Sequence, residues 1–61
     1  MKQTALREVR KQRGISQVEL ATRLRLKKNT VCQAEQYGIR KRSTAERYAA
    51  ALGCDWKDLL D

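Results

Sequence analysis

The stretch that most constrains this chain is Ser16 to Gln36, SQVELATRLRLKKNTVCQAEQ, which carries two helical patterns separated by a corner too short to let the helices lie side by side. Ser16 stands three residues before Glu19, so its hydroxyl can accept from an orphan amide of a helix start while the Glu side chain returns to the Ser amide. Apolar residues recur at Val18, Leu20, Ala21 and Leu24, and a second set, Val31 and Ala34, follows the basic and polar run Arg25 to Thr30. The expectation is two helices over about residues 16–36, with Leu26 plugging the core at the corner between them.

The second of these helices presents the informative face. At about 100° per residue, Lys28, Cys32, Gln36, Asn29 and Gln33 share one polar arc, while Thr30, Ala34 and Val31 fall on the opposite, small and apolar one. The outward arc bears an ammonium and three carboxamides, with no carboxylate until Glu35 at its margin. Amides and cations match the major-groove edges of adenine and guanine. The same residue types also suit any solvated helix face, so the rest of the chain must decide.

Charge points the same way. Fourteen Lys and Arg against seven Asp and Glu leave a formal charge of +7, which implies an anionic partner: nucleic acid, an anionic membrane or an acidic protein surface. The paired-helix geometry favours double-stranded DNA among these. Sixty-one residues suit one domain, residues 1–61, and a chain this short buries only roughly 60% of its unfolded surface, leaving little room for a small-molecule substrate pocket. No apolar run approaches the roughly 20 residues of a membrane span and the start lacks a signal-peptide core, so a soluble, cytoplasmic protein without a membrane partner is expected. Cys32 and Cys54 lie far apart in a chain with no His, which argues for free thiols and against a metal or other cofactor. With no His, no nucleophile beside a base and no phosphate-cradling glycine loop, no catalytic residue is expected and the chain reads as a non-enzyme.

Around the central pair the chain reads as bracing. A first amphipathic helix runs from about Gln3 to Arg13 with Ala5, Leu6 and Val9 inward, and Gly14 ends it with Ile15 folding back onto its last turn. After the third helix, ending near Gln36, Tyr37-Gly38-Ile39 turns the chain, Ile39 tethers the loop, and Arg40, Lys41 and Arg42 point to solvent in a manner suited to a phosphate backbone. Ser43 and Glu46 repeat the Ser-x-x-Glu start signal for a fourth helix with Ala45, Tyr48, Ala49 and Leu52 inward, closed by Gly53. Cys54 should then be buried, and Asp55 caps a short fifth helix containing Trp56, Leu59 and Leu60.

Gln17-x-x-x-Ala21, Leu24, Val31, Glu35 and the late Ala51-Leu52-Gly53 run, in this order, resemble the Cro/C1-type helix-turn-helix domains of phage repressors and related bacterial regulators. The resemblance covers nearly the whole chain and implies a compact, all-α, five-helix, lambda-repressor-like fold. It further implies base contacts by Lys28, Asn29 and Gln33, and Cys32, on the same arc, is expected to contact bases with them. Phosphate contacts fall to Gln17, where a helix start also favours an anion, and to Lys27, Gln36, Arg40, Lys41 and Arg42, the last nearest a minor groove. Arg10 and Glu35 match a partly buried structural ion pair. Such proteins usually bind inverted repeats as symmetric dimers, so a weak homodimer is expected, with Trp56, Leu59 or Leu60 at its contact. Three residues depart from the family pattern: Arg25 replaces the usual turn Gly, Tyr37 a small residue, and Lys27 a Ser or Thr cap, which leaves the third helix less well fixed at its start. The resulting expectation is a sequence-specific transcriptional regulator, a repressor by analogy, in a bacterial or phage-infected cell. The competing one is a helix-turn-helix protein-interaction module, antitoxin-like or a co-regulator, with weak direct DNA binding.

Overall fold

A computed structural model describes residues 4–61 and contains α1 (Ala5–Gln12), α2 (Gln17–Leu24), α3 (Lys28–Tyr37) and α4 (Arg42–Leu52), followed by a single 3-10 turn (Trp56–Leu59). The described residues are thus all-helical, but with four α-helices rather than five. The last segment falls short because Leu60 leaves the helical path to pair with Ile39 in an isolated parallel bridge, and the Asp61 amide donates to the Ile39 carbonyl at 3.0 Å. An extended residue at that point prevents the 3-10 turn from growing into an α-helix. No described helix is long and apolar enough to cross a membrane.

Three of the helices end in the same way. At the end of α1 the Ile15 amide donates back to the Arg10 carbonyl at 3.2 Å and the Gly14 amide to Lys11 at 3.0 Å, with Gly14 at φ +68°. This is the Schellman closure, which requires one left-handed residue. After α2 the equivalent bonds run from Leu26 to Ala21 at 2.8 Å and from Arg25 to Thr22 at 3.1 Å. Here the left-handed residue is Arg25, φ 58° and ψ 38°, at a cost of about 1 kcal/mol relative to glycine. Gly53 and Cys54 close α4 similarly.

The helix starts differ more. Thr4 caps α1, accepting from the Arg7 amide at 3.4 Å while its hydroxyl donates to the Glu35 carbonyl at 2.6 Å; Gln3, the expected start of this helix, lies outside the described residues. Ser16 caps α2 by accepting from Glu19 at 3.0 Å. Neither α3 nor α4 has a side-chain cap. Ser43 is therefore not the cap of α4: the helix begins two residues earlier, with Lys41 in the cap position, and Glu46 binds Arg42 Nε at 2.7 Å instead of returning to a backbone amide.

The core holds Leu6 of α1, Ile15, Leu20 and Ala21 of α2, Val31 of α3, Ile39, Ala45, Tyr48, Ala49 and Leu52 of α4, and Leu59. Leu26 packs against it from the corner, as do Val9, Leu24 and Trp56. Asp61 binds the two ends of the fold together: one carboxylate oxygen accepts from the Ala5 amide at 3.0 Å and the other from the Ile39 amide at 3.3 Å. Gly38, φ +85°, sits against this carboxylate so closely that a Cβ would collide with it. The residue after the third helix must therefore be glycine for two reasons, backbone angle and space.

Candidate nucleic-acid interface

Two buried charges fix α3. Arg10 Nε donates to Glu35 Oε2 at 2.6 Å and its Nη2 to Oε1 at 3.2 Å, while Nη1 donates to the Ile15 carbonyl at 2.6 Å. The guanidinium and carboxylate are both almost fully buried, and their two-point geometry sets the rotation of α3 against α1. Gln17 adds a third element. Its Nε2 donates to Glu35 Oε1 at 3.2 Å and its carbonyl oxygen accepts from the Cys32 thiol at 3.3 Å, so this carboxamide joins the start of α2 to the inner side of α3.

With rotation set, the faces of α3 follow. Val31 and Glu35 are buried and Ala34 half-buried, while Lys28, Asn29, Thr30, Gln33, Gln36 and Tyr37 are exposed. Two positions differ from the sequence reading. Thr30, expected on the inner arc, is exposed, and Cys32, expected among the outward residues, is half-buried against Gln17. Both changes have one cause. The centre of the buried face lies near Glu35, whose ion pair draws it inward, so the whole exposed arc turns away from Cys32 and takes in Thr30 and Tyr37. Helical periodicity weighted by apolarity has no means of finding a buried carboxylate.

Cations surround this face. An open depression of about 380 Å³ lies at the start of α2, lined by Arg7, Arg10, Ser16, Gln17, Val18 and Lys28. Ser16 satisfies the Glu19 amide through its hydroxyl and the Leu20 amide through its carbonyl, leaving the Gln17 and Val18 amides without intrahelical acceptors. Unpaired amides, the positive end of a helix and the Arg7 and Lys28 side chains make this a place suited to an anion. No sequence pattern marks Arg7; the depression joins it to Ser16, Gln17, Val18 and Lys28, nine to twenty-one positions away. Lys27, extended at φ −79°, precedes α3 and is exposed.

Beyond α3, Arg40 and Lys41 are exposed and make no ion pair among the described residues, whereas Arg42 is held. Its guanidinium stacks over the Trp56 ring at 4.7 Å and binds Glu46, with the Lys57 ammonium 5.8 Å from the same ring. The apolar residues expected at a dimer contact also separate. Leu59 is fully buried inside the chain and is a core residue, not a surface for a partner; Trp56 and Leu60 are half-buried. Cys54, expected to be buried, is half-buried and free; burial pushes its thiol pKa up, with Arg13 opposing.

The model of the helix-turn-helix family matches residues 6–59, from the first core residue of α1 to the last of the 3-10 turn. Neither the curated proteins nor the solved structures searched gave a match. The family match spans the tight α2–α3 corner, the exposed amide-bearing face and the cations flanking it, and on it the chain belongs to the Cro/C1-type helix-turn-helix family of DNA-binding regulators.

Proposed function

We propose that this chain acts as one unit that reads a specific double-stranded DNA sequence and represses transcription, with α3 in the major groove. The observation that carries the proposal is the division of α3 into an inner face locked by Arg10 and Glu35 and an outer face whose Lys28, Asn29 and Gln33 are exposed. Carboxamides in bidentate reach of adenine and an ammonium in reach of guanine supply the base discrimination. Cys32, turned toward Gln17, contributes at most the edge of its thiol.

Backbone contacts place the helix. Arg40, Lys41 and Gln36 hold one strand, and Lys27 flanks the start of α3. Gln17 serves phosphate through its main-chain amide, since its side chain is engaged with Glu35 and Cys32. Arg42, stacked on Trp56 and paired with Glu46 but with most of its side chain exposed, meets a phosphate from the same loop that presents Arg40 and Lys41. Two copies paired weakly through Trp56 and Leu60 would set two recognition helices about 34 Å apart on an inverted repeat, in the cytoplasm of a bacterial or phage-infected cell.

The test is selection of bound duplexes from a random pool at about 150 mM salt, where purely electrostatic binding is weak. The expected result is enrichment of an inverted repeat with half-sites about one helical turn apart. Binding without sequence preference that disappears as salt rises would contradict the proposal and favour a protein partner.

A further inference from the structure

Tyr37 is the most exposed large apolar side chain among the described residues, at 71%, and its phenol has no hydrogen-bond partner among them. The sequence pattern puts Tyr37 in a turn, but α3 continues through it. That extension gives it a position. Asn29, Gln33 and Tyr37 follow one another at intervals of four residues, so they form a single outward ridge along α3. At 1.5 Å per residue the ridge is about 12 Å long, comparable to the width of a major groove. A helix that lays Asn29 and Gln33 on base edges thus brings its carboxyl-terminal end to the groove wall. Arg40 and Lys41 stand a few residues beyond, exposed and unpaired among the described residues.

Resting on the DNA-reading proposal, we propose that Tyr37 is a positioning residue that sets how deeply α3 sits in the groove. Its phenol hydroxyl donates to a phosphate oxygen and its ring lies against the adjoining deoxyribose. A solvent-exposed aromatic ring on a surface this basic has a reason to be there if it covers sugar carbons while its polar tip meets an anion. Tyr37 fits the wall rather than the floor of the groove because it is the last residue of α3, one turn beyond Gln33 and nearest the exposed Arg40 and Lys41.

The test compares wild type with Tyr37→Phe, Tyr37→Ala and Gln33→Ala on a duplex enriched from the random pool and on an unselected duplex. Tyr37→Phe should weaken both by roughly 10- to 150-fold, since a hydrogen bond to a charged oxygen is lost, and Tyr37→Ala should weaken both further. Gln33→Ala should weaken only the selected duplex. Phosphate ethylation interference adds the readout that a structural role would not move: one phosphate per half-site whose ethylation harms wild-type binding should cease to matter in Tyr37→Phe. Circular dichroism should show every variant folded, because Tyr37 is exposed. Tyr37 variants that bind as wild type, or that lose affinity with an unchanged interference pattern, would overturn this proposal while Gln33→Ala still upholds the reading of DNA. Absence of DNA binding by wild type itself would overturn both.

Discussion

The inner face of α3 presents Val31, Ala34 and Glu35 to the core, and each has its neighbours within the chain; the outer face presents Asn29, Thr30, Gln33, Gln36 and Tyr37 to solvent. Ten residues of one helix therefore serve two selections. The inner face is determined by what the fold already contains, down to the two-point contact of Glu35 with Arg10. The outer face has no such determinant among the described residues: its side chains are exposed to solvent. If the outer face reads DNA as proposed, substitutions on the two faces should give different kinds of loss, of stability on the inner side and of sequence-specific binding on the outer.

The largest effect should come from Glu35→Gln. It leaves the Arg10 guanidinium buried without a countercharge, at a cost of about 3–5 kcal/mol, against a total stability on the order of 3–9 kcal/mol for a chain of this length. Urea denaturation followed by circular dichroism should show the midpoint fall by at least about a third. A midpoint close to that of wild type would mean that the ion pair does not hold α3 in place. Asn29→Ala tests the other face: no change in the urea midpoint, but a loss of roughly 1–3 kcal/mol on a selected duplex and little on random sequence. Arg40→Ala should weaken binding to every duplex alike and reduce the slope of log K against log salt by about 0.9. If Arg40→Ala altered sequence preference while Asn29→Ala did not, the division between base and backbone contacts would be reversed.

The smallest expected effect concerns the corner that aims α3. Replacing Arg25, at φ 58°, by glycine removes a left-handed side-chain penalty and should raise stability by about 0.5–1 kcal/mol. A loss of stability instead would mean that the Arg25 side chain contributes contacts that outweigh its backbone strain.

Much of the architecture was legible because its causes are local. Gly14 and Gly53 mark helix ends through their backbone freedom, and Ser16 marks a start through a hydroxyl three residues from its partner amide. What the sequence concealed depends on contacts distant along the chain. Ser43 had the right neighbours to cap α4, but the helix begins at Arg42, whose guanidinium is engaged by Trp56 across the fold. The final α-helix was lost to a bridge between Leu60 and Ile39. On the candidate interface, Lys28, Asn29, Gln33 and Gln36 were readable from periodicity, whereas Thr30 and Cys32 were exchanged because the buried face centres on a carboxylate. Arg7 reaches the site only because the fold brings α1 and the start of α2 to the rim of one depression, and no spacing in the sequence encodes that.

The most direct test of the account is to repeat the random-pool selection with Gln33→Ala. Gln33 is exposed at the middle of the outer ridge, so its removal should leave the fold intact. Preference should relax at one base-pair position in each half-site while the remaining positions and the half-site spacing persist. An unchanged preference at every position, or a uniform loss of binding to selected and random duplexes alike, would contradict the claim that the outer face of α3 reads sequence.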